Sequence, residues 1–262
     1  MVKKDLRYTV ITGASSGIGY ATAIAFAKRN KPLIVIARRQ EQLTLLKQKI
    51  ADINPELDVI IKKCDLSISS NVHSLFTDLE PYFIETWINN AGFGHYGSVG
   101  EQDLNKIESM LHLNIEALTI LSTLYVRKYH NQSGTQLINI SSRGGYTIVP
   151  NAVTYCATKF YVNAFTEGLA QELIQAKAQL RAKVLAPAAT QTEFGQKANN
   201  VDKYDYDKSF AKYHSADEMA QFLLALYDSD KIIGEINTTD FSFSLKDSIL
   251  PYSGNPSQNQ KI

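Results

Sequence analysis

Short apolar runs alternate along the chain with segments whose apolar residues recur every three or four positions. The runs at 8–12, 33–37, 58–62, 84–89, 136–141 and 180–186 read as strands. Between the second and third runs, Leu43, Leu46, Ile50 and Ile53 share one helical face, which predicts a helix laid on the sheet. Longer helices are predicted at about 103–130 and 152–177, on either side of the run at 136–141, and Met219, Phe222, Leu223 and Leu226 mark a later one. Alternation of this kind feeds a mainly parallel sheet, so the predicted fold is α/β, doubly wound, with helices on both faces. One domain over 1–250 is expected. The polar, Tyr/Lys/Asp-rich stretch 187–214 is weakly periodic and reads as a mobile loop or lid, and 251–262 reads as a frayed tail.

Composition narrows the classes of partner. With 262 residues, 44% hydrophobic and 20% charged, the chain can bury one large core. A net charge of +1 gives no footprint for a nucleic acid or a membrane surface, so a small-molecule partner is expected. The two cysteines, Cys64 and Cys156, have no zinc-ligand spacing; no metal site is expected, and a reducing, cytoplasmic setting fits, with a single disulfide left open. The apolar run behind the basic start spans only about five residues, too short for a signal-peptide core. Nothing approaches the ~18 apolar residues of a membrane span.

The stretch "TGASSGIG", 12–19, leaves the first strand just where the helical pattern Ile18, Ala21, Ala25 begins. A glycine turn in that context can bring a phosphate against the free N–H groups of a helix N-terminus. Gly13 permits the tight turn, Gly17 allows close approach to a pyrophosphate, and Gly19 allows helix and strand to pack closely. A glycine-rich turn with no ligand is the competing reading, and the spacing G-x-x-x-G-x-G does not match the usual dinucleotide fingerprint literally.

That spacing, with Thr before it and Ile inside it, resembles the short-chain dehydrogenase/reductase family. The resemblance continues through "NNAG" at 89–92, Asn114, "ISS" at 140–142 and "YCATK" at 155–159, with Ser142 thirteen residues before Tyr155, and it covers roughly 6–195. It implies a Rossmann-type nucleotide-binding oxidoreductase with Asn114, Ser142, Tyr155 and Lys159 as catalytic residues. Carbonyl reduction needs a proton donor near neutral pH, and a phenol with a reference pKa of about 10 needs a nearby cation to favour its phenolate. Tyr155 and Lys159, four apart on a helix, leave the same face. In the family the lysine also binds the nicotinamide ribose, Ser142 orients the substrate oxygen, and Asn114 interrupts its helix and holds a water that links the lysine to solvent. Each residue has a plainer reading as well: a surface Tyr beside a solvated amine, a Ser-Ser helix cap, a satisfied buried amide. Cys156 reads as a small core thiol.

The second strand ends at Ala37 and is followed by Arg38 and Arg39, where an acid would select a free ribose 2′-OH. A guanidinium fork matches phosphate, so NADP(H) is expected over NAD(H), with Arg38 as the main contact and Arg39 as the second. Two arginines opening a solvated helix is the alternative. The resemblance extends the cofactor set to Ser15, Ser16, Asp65, Leu66, Asn90, Ala91, Gly92, Pro187, Thr190 and Thr192, although Asp65 also suits a helix cap. Ala188 stands where the family has glycine, a costly replacement if the position needs positive φ. The substrate pocket is expected from Phe93, His95 and Tyr96, from Ser142, Tyr146, Ile148 and Val149, and from the lid, which favours a small hydrophobic ketone, aldehyde or alcohol. Relatives imply a homodimer or homotetramer. A nucleotide-sensing or scaffold protein on the same fold, and a nicotinamide-using epimerase or dehydratase, are the alternatives in function.

Overall fold

The computed structural model describes residues 6–253. In its first half, β1 (Arg7–Thr12), α1 (Gly17–Lys28), β2 (Leu33–Ala37), α2 (Gln40–Ile53), β3 (Val59–Lys63), α3 (Ser69–Asp78) and β4 (Phe83–Asn89) alternate strictly. Then α4 (Leu104–Leu111) runs through a π-helical segment, His112–Ala117, into α5 (Leu118–Tyr129), followed by β5 (Gln136–Ile140), α6 (Val153–Gln175) and β6 (Arg181–Ala186). The remainder holds β7 (Thr190–Gln191), α7 (Phe194–Asn199), α8 (Tyr206–Ser209), β8 (His214–Ser215), α9 (Ala216–Asp228), β9 (Ile233–Ile236) and β10 (Phe243–Lys246).

One sheet runs in the order β10-β9-β6-β5-β4-β1-β2-β3. All its pairings are parallel except that of β10 with β9. Strand order reverses beside β1, which pairs with β2 on one side and β4 on the other. A crevice at the carboxyl ends of β1 and β4 is therefore where an open α/β sheet binds ligands.

The period of two explains why these strands are apolar on consecutive residues. In β2, Ile34 and Ile36 join one core while Leu33, Val35 and Ala37 join the other, and all five are buried. The first core takes Val72 and Leu75 from α3, Leu118 and Leu121 from α5, and Val162 and Leu173 from α6. The second takes Ala23 and Phe26 from α1, Leu43, Leu46 and Ile50 from α2, and Met219 and Leu223 from α9. Ser215 starts α9 with a reciprocal capping box to Glu218, which satisfies N–H groups that would otherwise lack partners.

A buried amide ladder crosses the first core. Trp87 Nε1 donates to Asn89 Oδ1 (2.7 Å), Asn89 Nδ2 donates to Asn139 Oδ1 (2.9 Å) and Ser122 Oγ (3.1 Å), and Asn139 Nδ2 donates to Thr166 Oγ1 (2.9 Å). These bonds tie β4 and β5 to α5 and α6. Buried polar groups that pair only in one arrangement fix how the helices sit on the sheet.

The six predicted strands agree with β1 to β6 to within one residue at each end. Helix α3 and strands β9 and β10 carry no strong period in sequence and were not anticipated. The stretch 187–214, expected as a loop or lid, holds β7, α7, α8 and the start of β8. Its tyrosines order it. Tyr206 packs against Tyr204, Phe210 and Tyr213, and its hydroxyl accepts from Gly195 N and donates to Thr192 O, both at 3.2 Å. Of the predicted tail, 254–262 lies outside the described residues. The chain just before it is held: Glu167, 1% exposed, accepts from Ser248 Oγ (2.8 Å), Ile249 N (2.8 Å) and Leu250 N (2.9 Å).

Candidate active site

The glycine turn sits at the reversal of strand order. Gly13 and Gly17 have φ of 68° and 57°, the left-handed region that favours glycine. A Cβ at Gly13 would lie 2.8 Å from Ala91 Cα, and one at Gly19 only 2.4 Å from Asn90 Nδ2 and 2.6 Å from Gly13 O. Asn90 locks the turn to β4, with Nδ2 donating to Thr12 O (2.9 Å) and Gly13 O (3.3 Å). Ser16, the N-cap of α1, makes no side-chain cap, and the first turn contains no acid. Uncapped N–H groups, the positive end of the helix and a floor without side chains fit the phosphates of a dinucleotide.

From this turn a cavity of about 460 Å³ extends over the carboxyl ends of β4, β5 and β6. Gly13, Ser16, Gly17, Ile18, Asn90, Ala91, Gly92, Pro187, Thr190 and Thr192 line it, as do Ser142, Tyr155 and Lys159. Tyr155 and Lys159 both lie on α6, one turn apart, and are 7% and 6% exposed. Lys159 Nζ lies 5.9 Å from the centre of the Tyr155 ring and donates to Ile140 O at 2.9 Å. Burial alone pushes the Lys159 amine down to about 8. Burial, reinforced by Tyr96, raises the Tyr155 phenol above its ordinary value, and a hydrogen bond with Ser142 opposes the rise. In this arrangement desolvation dominates the phenol. Ser142 Oγ accepts from Gly144 N (3.0 Å) and keeps its own hydrogen to donate.

Asn114 lies in the π-helical segment, where the wider turn releases its side chain inward. Its Nδ2 donates to Phe93 O (2.9 Å) and Thr158 Oγ1 (3.1 Å), and its Oδ1 accepts from Phe93 N (3.1 Å). Both the helix interruption and the satisfied buried amide are therefore present. Gly92 separates this amide from the lysine: a Cβ there would stand 3.1 Å from Asn114 Oδ1 and 3.6 Å from Lys159 Nζ.

Several expected contacts fall elsewhere. Tyr146 does not line the cavity; its hydroxyl donates to Glu167 Oε1 at 2.6 Å, which holds the half-buried ring beside Arg143. His95 is also outside the lining, its carbonyl accepting from Gln102 Nε2 (3.2 Å). Ile148 is exposed, whereas Phe93, Tyr96 and Val149 do line the cavity. Gly19 and Leu66 are packed against neighbours, outside the lining. Ala188 is not among the residues at positive φ, so alanine carries no backbone strain there.

The two arginines have different surroundings. Arg38, 65% exposed, stands 3.7 Å from Asp65, and both line a second cavity beside β3. Asp65 also accepts from Ser67 N (3.0 Å) and Ser67 Oγ (2.7 Å); although burial works against it, these bonds and Arg38 hold its carboxyl below the ordinary range. Arg39 instead lies on the glycine turn, with Nη2 donating to Ser16 Oγ (2.8 Å) and Ser15 Oγ (3.2 Å).

Thr158 is not among the site residues expected from the sequence, and Phe194 is expected only as part of the lid. Thr158 lies inside "YCATK", and its position between the tyrosine and the lysine was the signal available. Phe194 lies in the stretch expected to help wall the pocket, but its ring comes to Tyr155 only through the fold, at 5.3 Å between centres, with Tyr96 at 5.9 Å from the same ring. Among the described residues no group of side chains is placed to hold a metal ion, and no helix is long and apolar enough to cross a membrane.

The short chain dehydrogenase family matches residues 7–203, and the chain belongs to that family. Dehydrogenase/reductase SDR family member 11 of Gallus gallus is 30% identical over 229 residues, covering 83% of this chain and 89% of the relative. Among solved structures, a short-chain dehydrogenase from Sphingobium yanoikuyae in complex with NADPH is 28% identical with a TM-score of 0.80, covering 88% and 87% of the two chains. A bulky-bulky ketone specific alcohol dehydrogenase from Comamonas testosteroni is 25% identical with a TM-score of 0.76, covering 88% and 86%.

Proposed function

We propose that this short-chain dehydrogenase is an NADP(H)-dependent enzyme that reversibly interconverts a hydrophobic ketone or aldehyde and its alcohol. The observation that carries the reading is the convergence of Ser142, Tyr155 and Lys159 at one end of an aromatic-walled cavity whose other end is the glycine turn.

When bound, the nicotinamide would supply the hydride to the carbonyl carbon or take it from the alcohol. The chain's part is at oxygen. Tyr155, kept protonated by its burial, donates its hydroxyl proton to the carbonyl oxygen. Ser142, whose oxygen is already used as an acceptor, donates a hydrogen bond to the same oxygen and fixes its direction. Lys159 holds positive charge beside the phenolate that remains, and the Asn114 amide fixes the Phe93 strap and Thr158 around it. Aromatic walls from Tyr96, Phe194 and Tyr204 exclude water and favour an apolar substituent.

Arg39 on the glycine turn and Arg38 at its flank support NADP(H) over NAD(H). The test follows NADPH absorbance against aliphatic, aromatic and steroid-like carbonyls, with NADH in parallel. NADPH binding at least tenfold tighter than NADH, and turnover of an apolar carbonyl, is expected. Equal dissociation constants would remove the cofactor preference. Net isomerisation without NADPH consumption would move the protein to the epimerase class.

A further inference from the structure

Arg39 does more than lie on the glycine turn. While Nη2 donates to Ser15 Oγ and Ser16 Oγ, Nη1 and Nη2 also donate to the two carboxylate oxygens of Glu193, at 3.2 and 2.9 Å. Glu193 precedes α7 in the lid, and Lys197, one turn further, donates to its Oε2 at 2.6 Å. Next to it, the Thr192 side chain closes over the turn: a Cβ on Gly17 would lie 3.0 Å from Thr192 Cγ2. The carboxylate therefore sits on the guanidinium that follows the second strand, at the position where a Rossmann-type fold meets the adenosine 2′-phosphate. A carboxylate and a phosphate engage the same planar fork of donors and cannot both have it.

We propose that Glu193 is a specificity-determining residue for the cofactor, an internal anion that Arg39 must release before it can grip the 2′-phosphate. The inference rests on the NADP(H) reading above. Glu193 then weakens NADP(H) selectively, since a free 2′-OH makes no demand on the guanidinium, and release of the carboxylate frees the lid as the adenosine end seats. Coulombic and hydrogen-bonding contact with Arg39 and Lys197 together outweigh the cost of burial and hold the Glu193 carboxyl down to about 2, so the internal anion persists across the pH range in which proteins are assayed.

The experiment measures dissociation constants of NADPH and NADH, by quenching of protein fluorescence and by ligand-induced shift of Tm, for the full chain, Glu193→Gln, Arg39→Ala and the double variant. Glu193 is partly exposed and its amide is nearly isosteric, so the fold is retained, and the unliganded Tm of each variant verifies it. Glu193→Gln is expected to tighten NADPH at least fivefold and to leave NADH within twofold. In the Arg39→Ala background the same substitution should give no gain. Equal tightening of both cofactors, an unchanged NADPH constant, or a gain that survives loss of Arg39 would each overturn the proposal. If the unaltered chain prefers NADH, the cofactor reading itself fails; if it prefers NADPH and Glu193→Gln changes nothing, only the role of Glu193 does.

Discussion

Phe194 lies with its ring centre 5.3 Å from that of Tyr155, tilted by 54°, so a lid residue and the candidate proton donor share one aromatic contact. Tyr96 completes the group, 6.3 Å from Phe194. The proposed substrate wall therefore also bounds the phenol.

Phe194→Ala removes that wall. For a small apolar ketone, kcat/KM should fall about tenfold, equivalent to ~1.4 kcal/mol of transition-state binding. For a ketone with two bulky substituents the loss should be smaller, because its own groups fill the space. A uniform fall across substrate sizes would place Phe194 outside the substrate wall.

Tyr155→Phe deletes the donated proton while leaving the ring. Carbonyl reduction should drop by at least about 100-fold, the scale of general acid catalysis, with NADPH still bound at close to its original affinity. Turnover within threefold of the parent would take Tyr155 out of the reaction.

The pH profile of reduction should carry the mark of Lys159. Its amine is pushed down to about 8 by burial. Below that pH the cation is present to hold the phenolate left on Tyr155, and above it the cation is lost. Accordingly kcat/KM for reduction should be level below pH 8 and decline about tenfold per unit above it, since that parameter reports groups in the free enzyme. A level profile to pH 9.5 would contradict this assignment.

Gly19→Ala tests the cradle apart from the chemistry. Its Cβ would meet Asn90 Nδ2 at 2.4 Å and Gly13 O at 2.6 Å, so the turn must move. NADPH affinity should weaken at least about tenfold, or ~1.4 kcal/mol, as judged by fluorescence titration. Unchanged affinity would show that the turn tolerates the shift and contributes little to binding.

How much of this could be read from residues alone depended on the range of the interaction. Strand β2 was legible because five consecutive apolar residues serve two cores, and the pair Tyr155 and Lys159 because a helix sets their spacing. Strands β9 and β10 were not, since Gly234, Glu235 and Ser244 break the apolar run and the pairing between them is settled by tertiary contact. Tyr146 misled for a similar reason. An aromatic residue following the serine suggested a pocket wall, but the acceptor for its hydroxyl, Glu167, lies 21 residues away on α6 and holds it off the cavity. The surroundings of Arg38 and Arg39 likewise come from partners on distant segments, Asp65 for the first and Glu193 for the second.

Glu167 has a practical consequence for anyone handling the protein. Its carboxylate is 1% exposed and its acceptors are filled by Tyr146 from one side and by the chain at Ser248, Ile249 and Leu250 from the other. Truncation ahead of Ser248 would strip away three donors, and trimming past Leu250 at least one of them, leaving the buried carboxylate short of partners beneath the loop that begins at Ser142. The endurance of that loop in storage would then be governed by whether a stretch some hundred residues downstream stays intact.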